Sequence, residues 1–256
     1  MTEFEKETQK RISLIARNDD LIRSSSSFME ASTVPKYSYN FSWQGRPIIQ
    51  YPQDIVAMQE IIWMVKPDLI IETGIAHGGS LIFSASMLSL LDSSEAIAQN
   101  KVVDPSKTKR KVLGIDIDIR DHNKIAIEKH PMSNWIEMIE GSSVDNNIIS
   151  QVHEFAESFE TILVCLDSNH THEHVAQELK AYSPLVSLGS YCVVFDTIIE
   201  DLPKNFYPSR PWNKGNNPKT AVWEFLKSNT NFEIDKKISD KLLITVAPDG
   251  YLKKIK

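Results

Sequence analysis

Four short apolar runs in this 256-residue chain each end on a carboxylate: Leu69–Glu72, Lys111–Asp116, Thr161–Asp167 and Tyr191–Asp196. One acid after an apolar run is unremarkable. Four at the carboxyl ends of strands in a single open sheet would converge on one rim, where such sheets bind their ligands. The first acid opens Glu72-Thr73-Gly74-Ile75-Ala76-His77-Gly78-Gly79-Ser80. Gly74 and Gly78 allow a tight turn and a close backbone approach to a ligand. The free N–H groups at the start of a following helix would then face the cleft. Glu72, Thr73, Gly74, Ala76, His77, Gly78 and Ser80 are therefore candidate ligand contacts. The spacing is not the G-x-G-x-x-G of dinucleotide folds.

The second acid lies in Gly114-Ile115-Asp116-Ile117-Asp118. A carboxylate held there suits hydrogen bonds from two neighbouring hydroxyls of a ribose, and Ile117 would lie beside it. That device is shared by several nucleoside cofactors and does not separate them. After the next run, Glu140-Gly141-Ser142-Ser143 offers Ser142, Ser143 and the Gly141 backbone to an adenine edge.

The richest segment is Asp167-Ser168-Asn169-His170-Thr171-His172-Glu173-His174. Three histidines at a spacing of two cannot share one helical face, and they lack the spacing of common zinc motifs. His172 and His174 have an equally good reading as solvated residues at a helix start. His170, three residues past a strand-end acid, is the better general base, because imidazole titrates near neutral pH. Asp167 and Asp196 are hard oxygen donors suited to Mg2+, which takes a few carboxylates and completes its shell with water and substrate oxygens.

These residues need elements to position them. Apolar spacing predicts a helix over 55–65, capped by Asp54 and ended by Pro67. Strands and helices then alternate: strands at 69–72, 111–115, 136–139, 161–166 and 191–195, with helices at 80–91, 123–129, 145–155 and 171–182. Pro218 suits the first turn of a helix ending near Lys227. The tail alternates over 232–238, 241–247 and 251–255, with a Pro-Asp-Gly turn at 248–250. The expectation is an α/β chain: a Rossmann-like, doubly wound, mostly parallel seven-stranded sheet closed by a C-terminal antiparallel hairpin. Residues 1–50 read as a helical and aromatic extension or lid, with a mostly exposed helix or helix pair over 2–24 broken by Ser24–Ser27. Residues 51–256 read as the main domain. The aromatic stretch Tyr37–Tyr51 suits either a cover over the cleft or simple packing on the core.

The net charge of −6 and pI near 5.7 give no general attraction to nucleic acid or to an anionic membrane. Cys165 and Cys192 each sit in an apolar run, as buried thiols do. Together with a polar N-terminus and no evident membrane-spanning stretch, this predicts a cytoplasmic globular protein. An exposed N-terminal helix could serve a homo-oligomer.

ETGIAHGGS, GIDIDIR, EGSS, DSNHTHEHV, SYCVVFDT and RPWNKGNNPKTAVWEFL, in this order, resemble the cephalosporin hydroxylase / rhamnosyl O-methyltransferase family. The Glu-x-Gly-x-x-x-Gly spacing is similar to the first motif of S-adenosylmethionine-dependent methyltransferases. The resemblance runs from about Tyr37 to the C-terminus. It implies a class I methyltransferase fold, S-adenosylmethionine as cofactor, often Mg2+, and a hydroxyl acceptor on a sugar or secondary metabolite. Related metal-dependent enzymes carry an acid at the position of Asp167, a histidine base three residues on, and two adjacent acids after the next strand. Here Asp167, His170 and Asp196 match, but Phe195 replaces the first of the paired acids. Glu200 and Asp201 are the candidates to take its place. The rival expectations are an NAD-dependent oxidoreductase, which Asp116 permits, and a non-catalytic cofactor-binding scaffold, which Phe195 permits.

Overall fold

A computed structural model describes all 256 residues. In chain order the elements are helices α1 (Glu3–Ile15) and α2 (Asp19–Thr33), strands β1 (Phe41–Trp43) and β2 (Arg46–Ile48), then α3 (Pro52–Val65). The alternating body follows: β3 (Leu69–Thr73), α4 (Gly79–Ala98), β4 (Lys111–Asp116), α5 (Asp121–Glu128), β5 (Ile136–Glu140), α6 (Asn146–Ala156), β6 (Ile162–Leu166), α7 (His172–Tyr182) and β7 (Tyr191–Val194). The chain ends with α8 (Pro218–Ser228), β8 (Phe232–Ile234), α9 (Lys236–Leu242) and β9 (Tyr251–Lys254).

The main sheet has seven strands in the order β5-β4-β3-β6-β7-β9-β8. Its first five strands are mutually parallel, whereas β9 runs antiparallel to both β7 and β8. Because helices cover both faces, the parallel strands read as continuous apolar runs. Along β3, Ile70 packs into one face's core while Leu69 and Ile71 pack into the other. The strand order reverses between β3 and β6, so a crevice opens above the carboxyl ends of these two central strands. Helix α4 is long and apolar enough to cross a membrane by composition, but half of it is buried, with Leu81, Ile82, Ala85 and Leu88 in the core.

Three expectations are corrected. Ser24–Ser27 do not break a helix: they lie inside α2, where Ser24, Ser25 and Ser26 donate their hydroxyls to carbonyls one turn back. The break falls earlier, where Asn18 caps α2 by accepting from the Leu21 N–H. Residues 241–247 form no strand. Asp235 caps α9 instead, and the segment beyond it is held by Asp54, which accepts from the Thr245 hydroxyl and, at 3.0 Å, from the Val246 N–H. Asp54 itself is no helix cap: it lies in the first turn of α3, buried, and also accepts from Tyr251 Oη at 2.8 Å. Burial pushes its carboxyl up to about 6, against the pull of these three donors.

Residues 37–51 form a short turn and the β1–β2 hairpin, which sits directly on the start of α4. An added Cβ on Gly79 would lie 2.1 Å from the Pro47 carbonyl oxygen, so only glycine permits that seat. Trp43 Nε1 donates to Ser86 Oγ at 2.9 Å. Arg46 donates from Nε to the His77 carbonyl at 2.9 Å and from Nη2 to Asn123 Oδ1 at 2.7 Å. The hairpin is thereby fixed to the turn that follows β3.

Candidate active site

Above the sheet's carboxyl end lies a cavity of about 660 Å³. Gly74, Ala76, His77 and Ser80 line it from the turn after β3, and Asp167, His170 and Asp196 from the rims of β6 and β7. The glycine turn is tight. Gly74 has φ +91, and a Cβ there would lie 2.2 Å from the Asp167 carbonyl oxygen. The two loops therefore pass one another at backbone contact. Gly78, at φ +80, forms the N-cap of α4. Glu72 is buried beneath the turn and accepts from the Ser80 hydroxyl; burial pushes its carboxyl up to about 7.

Asp116 stands at the end of β4, and its Oδ2 accepts from the N–H groups of Ile75 (2.7 Å) and Ala76 (3.1 Å). Its Oδ1 accepts from the Asp118 N–H at 3.2 Å. The carboxylate is thus pinned at the lip of the turn. Ile117 is 73% exposed there. The Gly141 N–H donates to the Asp116 carbonyl at 2.8 Å, and Ser142 is half-buried on the same side. Asp116, Ile117 and Gly141–Ser143 lie outside the wall of the main cavity.

Two candidate contacts are placed differently from the expectation. Thr73 is fully buried, and its carbonyl accepts from the Asp167 N–H at 3.0 Å, so it acts on the site by seating Asp167. Ser143 is turned inward, where it donates to Glu178 Oε1 at 2.6 Å and meets His174 Nε2 at 3.0 Å. Its hydroxyl is committed to that buried cluster. Ser168 joins the cluster by donating to the same Glu178 oxygen at 2.7 Å. His172 likewise points away from the cavity, with Nδ1 2.8 Å from Thr220 Oγ1 and Nε2 3.1 Å from Glu224. Of the three histidines, His170 lines the cavity.

Asp167, His170 and Asp196 each place one ligand atom within 4.8 Å of the others. His170 Nε2 is 3.0 Å from Asp196 Oδ2, and the Trp212 ring meets the imidazole edge-on at 4.8 Å. Asp196 reaches inward from a left-handed backbone, φ 55. Burial, and then the neighbouring charge of Asp196, hold the Asp167 carboxyl well above its usual range. A crowded acid with hard oxygen donors beside it is what a divalent cation relieves, so these residues fit one. Phe195 turns into the core against the underside of the sheet. Neither proposed substitute replaces it. Glu200 accepts from the Gly215 N–H and Asn217 Nδ2, and Asp201 is paired with Lys219 Nζ at 2.6 Å.

The sequence points to segments 37–51 and 200–216 as the acceptor side, but not to which of their side chains, Gln50 and residues 206–212, reach the site. Gln50 Nε2 donates to Asp167 Oδ2 at 3.3 Å across 117 residues of chain, a separation that no local pattern encodes. Phe206, Tyr207, Arg210 and Trp212 line the cavity, as do Met29, Val34 and Tyr39 of the N-terminal segment. The RPW triplet was visible as part of the resemblance, but the residues that share the cavity with it were not.

A sheet in this strand order, with an antiparallel strand inserted beside β7 and an acidic rim next to a Glu-x-Gly-x-x-x-Gly turn, defines a methyltransferase of the Rossmann-like class. A magnesium- and S-adenosylmethionine-bound CmcI structure shares this fold with a TM-score of 0.57 and 17% identity, covering 85% of this chain and 78% of that one. A CmcI apo structure matches with a TM-score of 0.54 and 17% identity, over 85% and 77% of the two chains. The family model described as Rhamnosyl O-methyltransferase/CmcI matches residues 35–255, and the chain belongs to that family. Among its relatives, the rhamnosyl O-methyltransferase of Mycobacterium leprae (strain TN) is 28% identical over 213 residues, 82% of each chain. That of Mycobacterium bovis (strain BCG / Pasteur 1173P2) is 28% identical over 201 residues, 78% of this chain and 72% of that one. These relatives are methyltransferases by name, and neither the nicotinamide nor the scaffold reading is favoured.

Proposed function

We propose that the chain transfers the methyl group of S-adenosylmethionine to a hydroxyl of a sugar, free or carried on a natural product, with His170 as general base. One observation carries this reading: His170 and the acids Asp167 and Asp196 open into the same cavity as the glycine turn after β3. Its volume, about 660 Å³, suits the methionine end of the cofactor with an acceptor beside it, the groups that would meet the adenosyl end lying outside its wall. The sulfonium of the bound cofactor supplies an already activated methyl, so the protein's task is to align and deprotonate the acceptor. The turn at Gly74 and Gly78 passes close to the methionine part, and Asp116 stands where ribose hydroxyls would meet it. Ser142 and the Gly141 carbonyl are the groups left to meet an adenine edge, since Ser143 and the Gly141 N–H are engaged elsewhere.

His170 accepts the hydroxyl proton. Asp196, 3.0 Å from Nε2, orients the ring and stabilises the imidazolium that results. Asp167 and Asp196 would hold Mg2+, which lowers the pKa of a coordinated hydroxyl. The Trp212 ring and Tyr39 offer flat apolar surfaces, and Tyr207 and Arg210 polar groups, for the two faces of a sugar.

Calorimetry with S-adenosylmethionine and S-adenosylhomocysteine, followed by a mass-spectrometric screen of sugar acceptors, tests this reading. Micromolar binding of both ligands and a gain of one methyl on an acceptor are expected. Binding of NAD(H) in their place would overturn it. His170→Ala should lower kcat by about 10²-fold or more, with S-adenosylhomocysteine affinity held within about 3-fold.

A further inference from the structure

Gln50 belongs to the link between β2 and α3, and is 8% exposed. Its amide meets the acid cluster from the side of the N-terminal segment. Nε2 donates to Asp167 Oδ2 at 3.3 Å, while Oε1 is buried with no hydrogen-bond partner. An unpaired buried carbonyl is costly, on the order of 1–3 kcal/mol. Gln50 also lines, with Asp167 and Phe195, a small cavity of about 30 Å³ beneath the main one.

Resting on the proposed metal-assisted reading, we infer that Gln50 Oε1 is the third protein oxygen of the cation site and takes over the task left by Phe195. Two features make this geometry work. The two ends of a glutamine amide are nearly the same size, so a half-turn about the last torsion exchanges oxygen for nitrogen in place. That half-turn sets Oε1 where Nε2 now lies, 3.3 Å from Asp167 Oδ2. Adjacent oxygens on Mg2+, each about 2.0–2.1 Å from it, lie roughly 2.8–3.0 Å apart, so the pair closes on the cation with a shift of a few tenths of an ångström. Without a cation, that orientation would set a carbonyl against a carboxylate, and the amide donates instead, as seen. The neutral oxygen also leaves the site with two carboxylates rather than three, which lowers cation affinity relative to an all-acid set.

The test is Mn2+ binding to the full-length protein, read by electron paramagnetic resonance of the free ion, with Mg2+ as competitor. The variants are Gln50→Met, which keeps the length and removes the oxygen, and Gln50→Glu, which restores a charged oxygen. Gln50→Met should weaken Mn2+ by about 10-fold or more. Gln50→Glu should tighten it several-fold. Because an added carboxylate attracts a cation even without ligating it, ligation is read directly: electron-nuclear double resonance of bound Mn2+ in protein carrying carbon-13 at its glutamine side-chain carbonyls should show a strongly coupled carbon that is lost in Gln50→Met, and its absence in the parent protein would overturn the inference. Weakening in both, or no change in either, would overturn the inference while leaving the metal-assisted reading intact. A wild-type protein that takes up no Mn2+ at millimolar concentration would overturn both. Circular dichroism and cofactor affinity measured without metal check that each variant is folded. If Gln50→Met fails to fold, the carbon-13 coupling in the parent protein decides the matter alone.

Discussion

Two buried carboxyls away from the acid cluster contribute to how the protein's stability responds to pH. Glu72 is pushed up to about 7 and Asp54 up to about 6, each mainly by burial. Between the unfolded value near 4.5 and the folded value near 7, the folded state holds a proton on Glu72 that the unfolded chain has lost. Stability conferred by this group is therefore greatest at low pH and falls as pH rises through that window. Glu72→Gln, which can still accept from Ser80, should flatten this segment of a urea-denaturation pH profile. Its advantage over the parent should be largest above pH 7 and vanish near 4.5. Asp54 behaves differently on deletion. Asp54→Ala strands the Thr245 and Tyr251 hydroxyls and the Val246 N–H, and should cost about 3 kcal/mol at neutral pH by the same assay. Little of this was legible in advance. Asp54 looked like a helix cap because an acid before an apolar periodic stretch usually is one, whereas its partners lie about 190 residues away.

At the scale of elements, the alternating body was legible because each parallel strand is buried on both faces and each helix between them buries one stripe. The strands at β3, β4, β5, β6 and β7 fall within a residue or so of where apolar runs and the following acids place them. The tail was not legible. Ile244, Thr245 and Val246 read as a strand by type, yet the sheet offers them no neighbour, since β9 already occupies the place between β7 and β8. The serines of α2 misled for a related reason: hydroxyls that disfavour a helix in isolation are satisfied here by the preceding turn's carbonyls. The junction of β3 with β6 tolerates no side chain at Gly74. Gly74→Ala combines a left-handed φ with a clash against the Asp167 carbonyl. It should cost at least ~2 kcal/mol, and cofactor affinity should fall with it when measured by calorimetry.

For the molecule as a whole, the N-terminal helices are unequal. Helix α1 buries no residue, whereas Met29 and Ser32 of α2 are buried and Ser32 Oγ lies 2.7 Å from Tyr51 Oη. Deleting residues 1–16 should shift the calorimetric Tm by no more than about 3 °C. Deleting residues 1–34 removes a wall of the cavity, and should raise the acceptor KM well before it changes cofactor affinity. The two walls therefore answer to different pressures of inheritance. The half of the cavity built from the turn after β3 and the acid rims is locked to the sheet by backbone contact, and drift there is punished in folding. The half built by residues 29–39 and 206–212 belongs to no strand of that sheet. On the proposed function, acceptor preference is expected to follow these two surface stretches. A chimera exchanging residues 203–216 between relatives should carry acceptor preference with it and leave methyl donation unchanged.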